Sequence, residues 1–496
     1  MKYTSTRNKQ IKVGAAQAIA QGISEEGGLF VPEVLPALGN ERLEDLIHKT
    51  YQERACDILE DFLDDFTPAE LRECVQGAYG GQKFADPRIA PMSRLDRDIY
   101  MLELWHGPTC AFKDMALQLL PHLLTRSVEK VSKGKEVVIL VATSGDTGKA
   151  ALEGFRDVPG TEILVFYPQD GVSKIQKLQM QTQEGQNVGV CGVCGNFDDT
   201  QTGVKTIFTD HALRERLAGK NMMFSSANSI NWGRLVPQIV YYVSAYCDLV
   251  KNEQIALGDT VNVAVPTGNF GNILAAYYAK RMGLPIHRFI CASNVNKVLA
   301  DFIETGVYDR RREFVATSSP SMDILISSNL ERLLFELHDG DDKDVSKLMR
   351  QLSEQGAYTV AERVRAKLQS EFCGGYCDEA ETAATIRKFQ HDYDYLCDTH
   401  TAVALKVHGD YEKKTGDDTK TIVVSTANPF KFTGSMLDAL GGSEGGGEFA
   451  QAEKLAEMTG TEIPPQIKAL RGKPVRFDQV CEKAAMTGVV ERLLKL

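Results

Sequence analysis

The residues with most chemical potential lie in the run Trp105-His106-Gly107-Pro108-Thr109-Cys110-Ala111-Phe112-Lys113-Asp114. It opens with turn-forming residues and continues into Met115-Ala116-Leu117-Gln118-Leu119-Leu120, which reads as a buried helix with Thr109 as its N-cap. Lys113 then sits one turn into that helix, between Phe112 and Met115. Apolar neighbours and the positive end of a helix both disfavour an ammonium. A neutral amine there suits a Schiff base or a general base. The competing reading is a surface lysine on an amphipathic helix.

Three further stretches follow strands, where ligands of α/β folds sit. Thr143-Ser144-Gly145-Asp146-Thr147-Gly148 offers hydroxyls beside helix-start amides, suited to a carboxylate or phosphate. It reads equally well as an N-capped helix. Pro266-Thr267-Gly268-Asn269-Phe270-Gly271-Asn272 is the better phosphate cradle, because Gly268 and Gly271 allow several amides to converge on one dianion. It lacks both the Gly-Lys-Ser/Thr ending of a nucleotide-binding loop and the glycine spacing of a dinucleotide fingerprint, so a single phosphate is its natural guest. Ser425-Thr426-Ala427-Asn428-Pro429-Phe430-Lys431-Phe432 places hydroxyls where they could bond a neutral ring nitrogen, and Lys431 where it could meet an anionic substrate group. A plain turn before a helix is the alternative. Between these lies the polar stretch Phe224 to Arg234, in which Arg234 is either an anion ligand or half of a structural pair. An amine for an aldehyde, amides for one phosphate and hydroxyls for a pyridine nitrogen are together what pyridoxal phosphate requires.

The elements that must position these residues form an alternating pattern. Ile99–Leu104, Glu136–Ala142, Glu162–Tyr167, Val188–Val193, Thr260–Val265, Arg288–Ala292 and Thr421–Val424 read as strands, several of them continuous apolar runs typical of strands buried on both faces. Helical sequence separates them, including Gln201–Ala218 and the apolar run Leu235–Val250. This spacing indicates a doubly wound α/β architecture. Residues 1–95 carry acidic helical sequence (Glu41–Phe66) and no glycine-rich site. Residues 331–415 are mostly charged helical sequence, and 441–447 reads as a flexible glycine-rich loop.

Bulk properties narrow the function classes. A chain of 496 residues exceeds one core and implies two or three domains. A formal net charge of −11 argues against nucleic acid or an anionic membrane as partner. No apolar run reaches bilayer length, and no signal peptide is read at the start, so a soluble, cytoplasmic protein is expected. Eleven cysteines in so long a chain make no disulfide scaffold. The pairs Cys191/Cys194 and Cys373/Cys377 read as small buried thiols rather than a zinc or redox site, since they are unequally spaced and lack matching histidines.

Taken in order, Tyr3-Thr4-Ser5-Thr6-Arg7, Gly27-Gly28-Leu29-Phe30-Val31-Pro32, His106 to Asp114, Ser144 to Gly148, Asn228 to Asn231, Gly268 to Asn272 and Ser425 to Pro429 resemble threonine synthase over nearly the whole chain. The length is similar to the longer branch found in fungi and many bacteria. The resemblance implies a fold-type II pyridoxal-phosphate enzyme, like the tryptophan synthase β-subunit, with two parallel-rich α/β domains and an N-terminal domain. Residues 1–95 would form the N-terminal domain, 96–134 with 228–496 the large cofactor domain, and 135–227 the smaller one. It implies conversion of O-phospho-L-homoserine and water to L-threonine and phosphate, the last step of threonine biosynthesis. Lys113 would hold the cofactor and move the protons, Gly268, Asn269, Phe270, Gly271 and Asn272 would bind its phosphate, and Thr426 would face its ring nitrogen. Ser144, Asp146, Thr147, Asn231, Arg234 and Lys431 are the expected substrate-binding set, with no metal, and a monomer or small homo-oligomer is expected. The family usually has histidine where Asn428 stands and alanine where Phe430 stands. A lyase releasing keto acid and ammonia is the rival enzyme; a non-catalytic scaffold on the same fold is the rival from another class.

Overall fold

Continuous apolar strands need cover on both faces, and they build two sheets flanked by helices. In the computed structural model, which describes residues 1–170, 172–442 and 445–496, the larger sheet has six strands. Their order is Phe372–Tyr376, Ile286–Ser293, Val261–Pro266, Thr421–Ser425, Ile99–Glu103 and Met92–Arg94. All pair in parallel except the edge strand Met92–Arg94. The second sheet is wholly parallel, in the order Val480–Glu482, Val188–Cys194, Thr161–Pro168, Glu136–Ala142 and Met222–Ser225. Each strand read from the sequence is present. The strands Met92–Arg94, Met222–Ser225, Phe372–Tyr376 and Val480–Glu482 are additional.

Register is what makes the large sheet useful. Ser425 lies opposite Glu103, and Val263 opposite Ile422. The chain therefore leaves Ile99–Glu103, Thr421–Ser425 and Val261–Pro266 at one edge, and the three turns that follow carry Lys113, Thr426 and Gly268. The helix Trp232–Lys251 lies behind them and is buried on almost every side, as an all-round apolar helix must be.

The N-terminal part opens with an antiparallel sheet of Asn8–Val13, Tyr3–Ser5 and Phe30–Pro32. It shares a core with the large-sheet region rather than standing apart: Trp232 packs against Tyr3 and Phe62. Buried Arg54 donates to Asp248 at 2.7 Å.

Several boundaries differ from the sequence reading. The run 201–218 is two helices, Phe197–Thr209 and His211–Gly219, because the Asp210 carboxylate accepts from the Leu213 amide and starts a new helix. The run 41–66 likewise contains Asn40–Ile47 and Tyr51–Phe62, the second begun by a Thr50–Glu53 capping box. Residues 228–496 do not all belong with the large sheet. Val480–Glu482 pairs with Val188–Cys194, and Met486, Val489, Val490 and Leu494 complete the apolar cluster on Val138, Leu140 and Phe166 of the smaller one. A three-residue edge strand has no sequence signal of its own; its partner is chosen by the helix that follows it.

All eleven cysteines are free, and Cys191 and Cys373 lie on different sheets. Among the described residues no group of three or more His, Cys, Asp or Glu is placed to hold a metal ion, and no helix is long and apolar enough to cross a membrane. Ser443 and Glu444 of the glycine-rich stretch lie outside the described residues.

Candidate active site

The Lys113 loop is fixed from both ends. Asp114, fully buried, accepts from the Thr109 amide at 2.8 Å and from its hydroxyl at 2.7 Å, which closes the loop upon itself. Gly107 is required here, since a Cβ at that position would stand 2.5 Å from the Asp114 carboxylate. Thr109 is therefore not an N-cap. Lys113 begins a short helix, Lys113–Leu117, that breaks before Leu120–Val131. The Phe112 amide donates to the Thr426 carbonyl at 2.8 Å, the Asn428 amide to the Cys110 carbonyl at 3.0 Å, and the Trp105 indole to the Ser425 hydroxyl at 3.0 Å. Backbone pairing thus places the lysine beside the turn bearing Thr426.

Lys113 lines a cleft together with Thr426, Gly268 to Asn272, Arg234, Gln238, Ser321 and His400. Its ammonium is pushed down to about 7, first by desolvation and then by repulsion from the Arg234 guanidinium. Asp146 opposes this and loses.

Opposite the lysine, the strand Val261–Pro266 turns through Phe270, whose φ of 64° is left-handed, into the helix Gly271–Met282. No side chain caps this helix start, so its first amides remain available to an anion. Gly268 is obligatory: its Cβ would meet the Ser321 carbonyl at 2.5 Å. Two buried donors in the cleft wall, Arg234 Nε and Asn272 Nδ2, have no protein partner. The Asn272 side-chain oxygen Oδ1 accepts from the Tyr241 and Tyr242 hydroxyls, leaving Nδ2 unpaired. Burial pushes the Arg234 guanidinium down to about 10, still charged at neutral pH. Unpaired buried donors cost about 1–3 kcal/mol each, which an anionic ligand would relieve. The residues present fit the phosphate of pyridoxal phosphate.

The turn after Glu136–Ala142 is arranged differently from the sequence reading. Thr143, not Ser144, satisfies the helix start, accepting from the Gly145 and Gly148 amides at 3.0 and 2.8 Å. Ser144 and Thr147 are half-buried. Asp146 and Lys431, both expected to meet substrate, are committed to each other: Lys431 Nζ lies 2.7 Å from the Asp146 carboxylate and also donates to the Thr109 carbonyl at 2.8 Å. Burial would raise the Asp146 carboxyl, but the Lys431 ammonium outweighs it and holds the group below its usual range. Asn231 is likewise used inside the wall. Its amide donates to the Ile19 and Ser226 carbonyls and its oxygen accepts from the Gly233 amide. Asn428, where the family usually has histidine, caps a 3-10 turn through the Phe430 amide, and Phe430 fills the core.

Asp398 and His400, which the sequence reading passed over, stand at the start of the helix Thr399–Thr415 and bring an imidazole into the cleft. Their only sequence signal is an ordinary N-cap aspartate, so nothing local marks them.

A desolvated lysine facing an anion cradle and a hydroxyl, at neighbouring strand ends of one parallel sheet, defines a fold-type II pyridoxal-phosphate-dependent enzyme. Residues 87–427 match the family described as "Pyridoxal-phosphate dependent enzyme", residues 2–79 "Threonine synthase N terminus" and residues 401–490 "Threonine synthase, C-terminal". The chain belongs to the threonine synthase family. Threonine synthase of Pseudomonas aeruginosa is 36% identical over 433 residues, covering 87% of this chain and 89% of that protein. Threonine synthase-like 1 of Homo sapiens is 43% identical over 435 residues, covering 86% of this chain; the matched region spans 58% of the length of that relative. The crystal structure of PLP-bound threonine synthase from Brucella melitensis superposes with a TM-score of 0.89 at 36% identity, covering 100% of both chains.

Proposed function

We propose that the chain converts O-phospho-L-homoserine and water to L-threonine and phosphate. The observation that carries this is the facing of Lys113, whose amine is held near neutrality, by the uncapped Gly268–Asn272 turn and its two unpaired donors. Gly268 to Asn272, with Arg234, would hold the phosphate of pyridoxal phosphate, and Thr426 would face its ring nitrogen. When bound, the cofactor supplies an electron sink for charge on the substrate carbons. Lys113 Nζ then takes and returns protons at those carbons, for which a base titrating near 7 is well matched. Thr426 brings a hydroxyl rather than a carboxylate to the ring nitrogen, which favours its unprotonated form. Ser144 and Thr147, half-buried on the neighbouring lobe, would bind polar groups of the substrate.

Incubation of the cofactor-loaded protein with phosphohomoserine tests the reading. Equal amounts of threonine and phosphate are expected, and keto acid with ammonia would replace the reading by a lyase. Neither product, with no visible absorbance from bound cofactor, would mean a non-catalytic scaffold.

A further inference from the structure

The cleft holds one buried pair that the proposed chemistry leaves without a task. Asp398 is fully buried at the start of the helix Thr399–Thr415, and His400 follows two residues later, 3% exposed. The His400 Nδ1 lies 2.9 Å from the Asp398 carboxylate, and its Nε2 accepts from the Ser321 amide at 3.2 Å. These partners fix the tautomer: the ring proton is on Nδ1, donated to Asp398, and Nε2 is an acceptor. The imidazole is braced by the Phe432 ring, 5.1 Å away between centroids.

What His400 holds is one wall of the anion turn. The Ser321 carbonyl occupies the space where a Gly268 side chain would be, and Ser327 donates its hydroxyl to the Gly268 carbonyl at 2.7 Å. Thr399 adds a second tie to the same segment, donating to the Ser318 carbonyl at 2.7 Å. The other arm of the pair reaches the opposite end of the cleft. Thr401 donates to Asp398 and lies 3.3 Å from the Ser425 hydroxyl, beside Thr426. One carboxylate thus ties the turn meant for the cofactor's phosphate to the turn meant for its ring.

We propose that Asp398 and His400 form a positioning relay, in which His400 Nε2 fixes the Ser321 backbone against Gly268 and so keeps the phosphate turn in its binding geometry. The relay rests on the cofactor reading above. In this role His400 acts through Ser321, so its loss weakens cofactor binding and spares turnover once the cofactor is saturating.

The test is a titration of the cofactor-free full-length protein with pyridoxal phosphate, followed by absorbance. His400→Asn keeps a donor for Asp398 and removes the acceptor from Ser321. It is expected to raise the dissociation constant roughly tenfold to a hundredfold, the range for a buried donor stripped of its acceptor. His400→Gln, whose amide oxygen reaches the Nε2 position, is expected to restore affinity to within a few-fold of the parent. Both should melt within a few degrees of the parent without cofactor, and both should keep its kcat at saturating cofactor. Unchanged affinity in His400→Asn would overturn the relay, as would a Gln variant no better than Asn. A kcat that falls while affinity holds would overturn it too, making His400 a group that touches the substrate. A parent protein that binds no pyridoxal phosphate would instead refute the reading beneath it.

Discussion

Lys113 sits where two effects push in one direction: the cleft strips water from its amine, and Arg234 repels its charged form. With a value of about 7, roughly nine tenths of Lys113 is neutral at pH 8, against less than roughly one hundredth of an ordinary lysine. An amine-selective reagent at pH 8 should therefore modify Lys113 of the cofactor-free protein first, and pyridoxal phosphate should protect it. Peptide mapping that finds other lysines labelled equally would remove the desolvation argument. The same shift makes a stability statement. Between about pH 7 and 10.5 the unfolded chain binds more protons here than the folded one, so the cost of burying this amine is fully present below pH 7 and is relieved as pH rises. Lys113→Met should accordingly abolish activity while raising the urea midpoint more at pH 6 than at pH 9.

At the scale of elements, the decisive piece is the strand–turn–helix from Val261 to Met282. A methyl at position 268 would press on the Ser321 carbonyl, which is backbone and is held from the far side by His400. Gly268→Ala is expected to weaken pyridoxal-phosphate binding by more than about tenfold, because overpacking of a fixed wall costs roughly 1–3 kcal/mol. Fluorescence titration reads this directly, and parent-like affinity would show that the wall yields. The turn was legible in the sequence because glycines between an apolar strand and a helix leave few other interpretations. The Asp398–His400 element was not, since an aspartate before a helix caps it whether or not a ligand lies beyond.

The two sheets meet at the buried pair Asp146–Lys431, one partner from the helix after Glu136–Ala142 and the other from the turn after Thr421–Ser425. Removing one member leaves the other charged in a dry site, at a cost of about 3–5 kcal/mol. Lys431→Met should show that loss in urea unfolding, and adding Asp146→Asn should recover part of it. Because Lys431 holds the Asp146 carboxyl below its usual range, the pair's contribution is complete above the ordinary carboxylate value and fades as pH falls through the lowered one. Unfolding of parent and double variant should therefore converge in strong acid. The C-terminal segment makes a second whole-molecule claim. Truncation after Lys473 uncovers Val138, Leu140 and Phe166 and frees an edge of the smaller sheet. A lower melting temperature and increased binding of an apolar dye are expected; a parent-like melt would show that the edge is dispensable.

The sequence by itself determined the chemistry available: a lysine among apolar residues, glycines after an apolar strand, and a serine–threonine pair at another strand end, each a signal carried within a few consecutive residues. The tertiary structure decided which of these face one another. The strand order set Ser425 beside Glu103 and so Thr426 beside Lys113, paired Asp146 with Lys431, and seated Val480–Glu482 on the smaller sheet. The reason is physical: local sequence fixes backbone conformation and polarity, whereas pairing between distant segments is settled by how well whole faces pack and by which buried charges find partners.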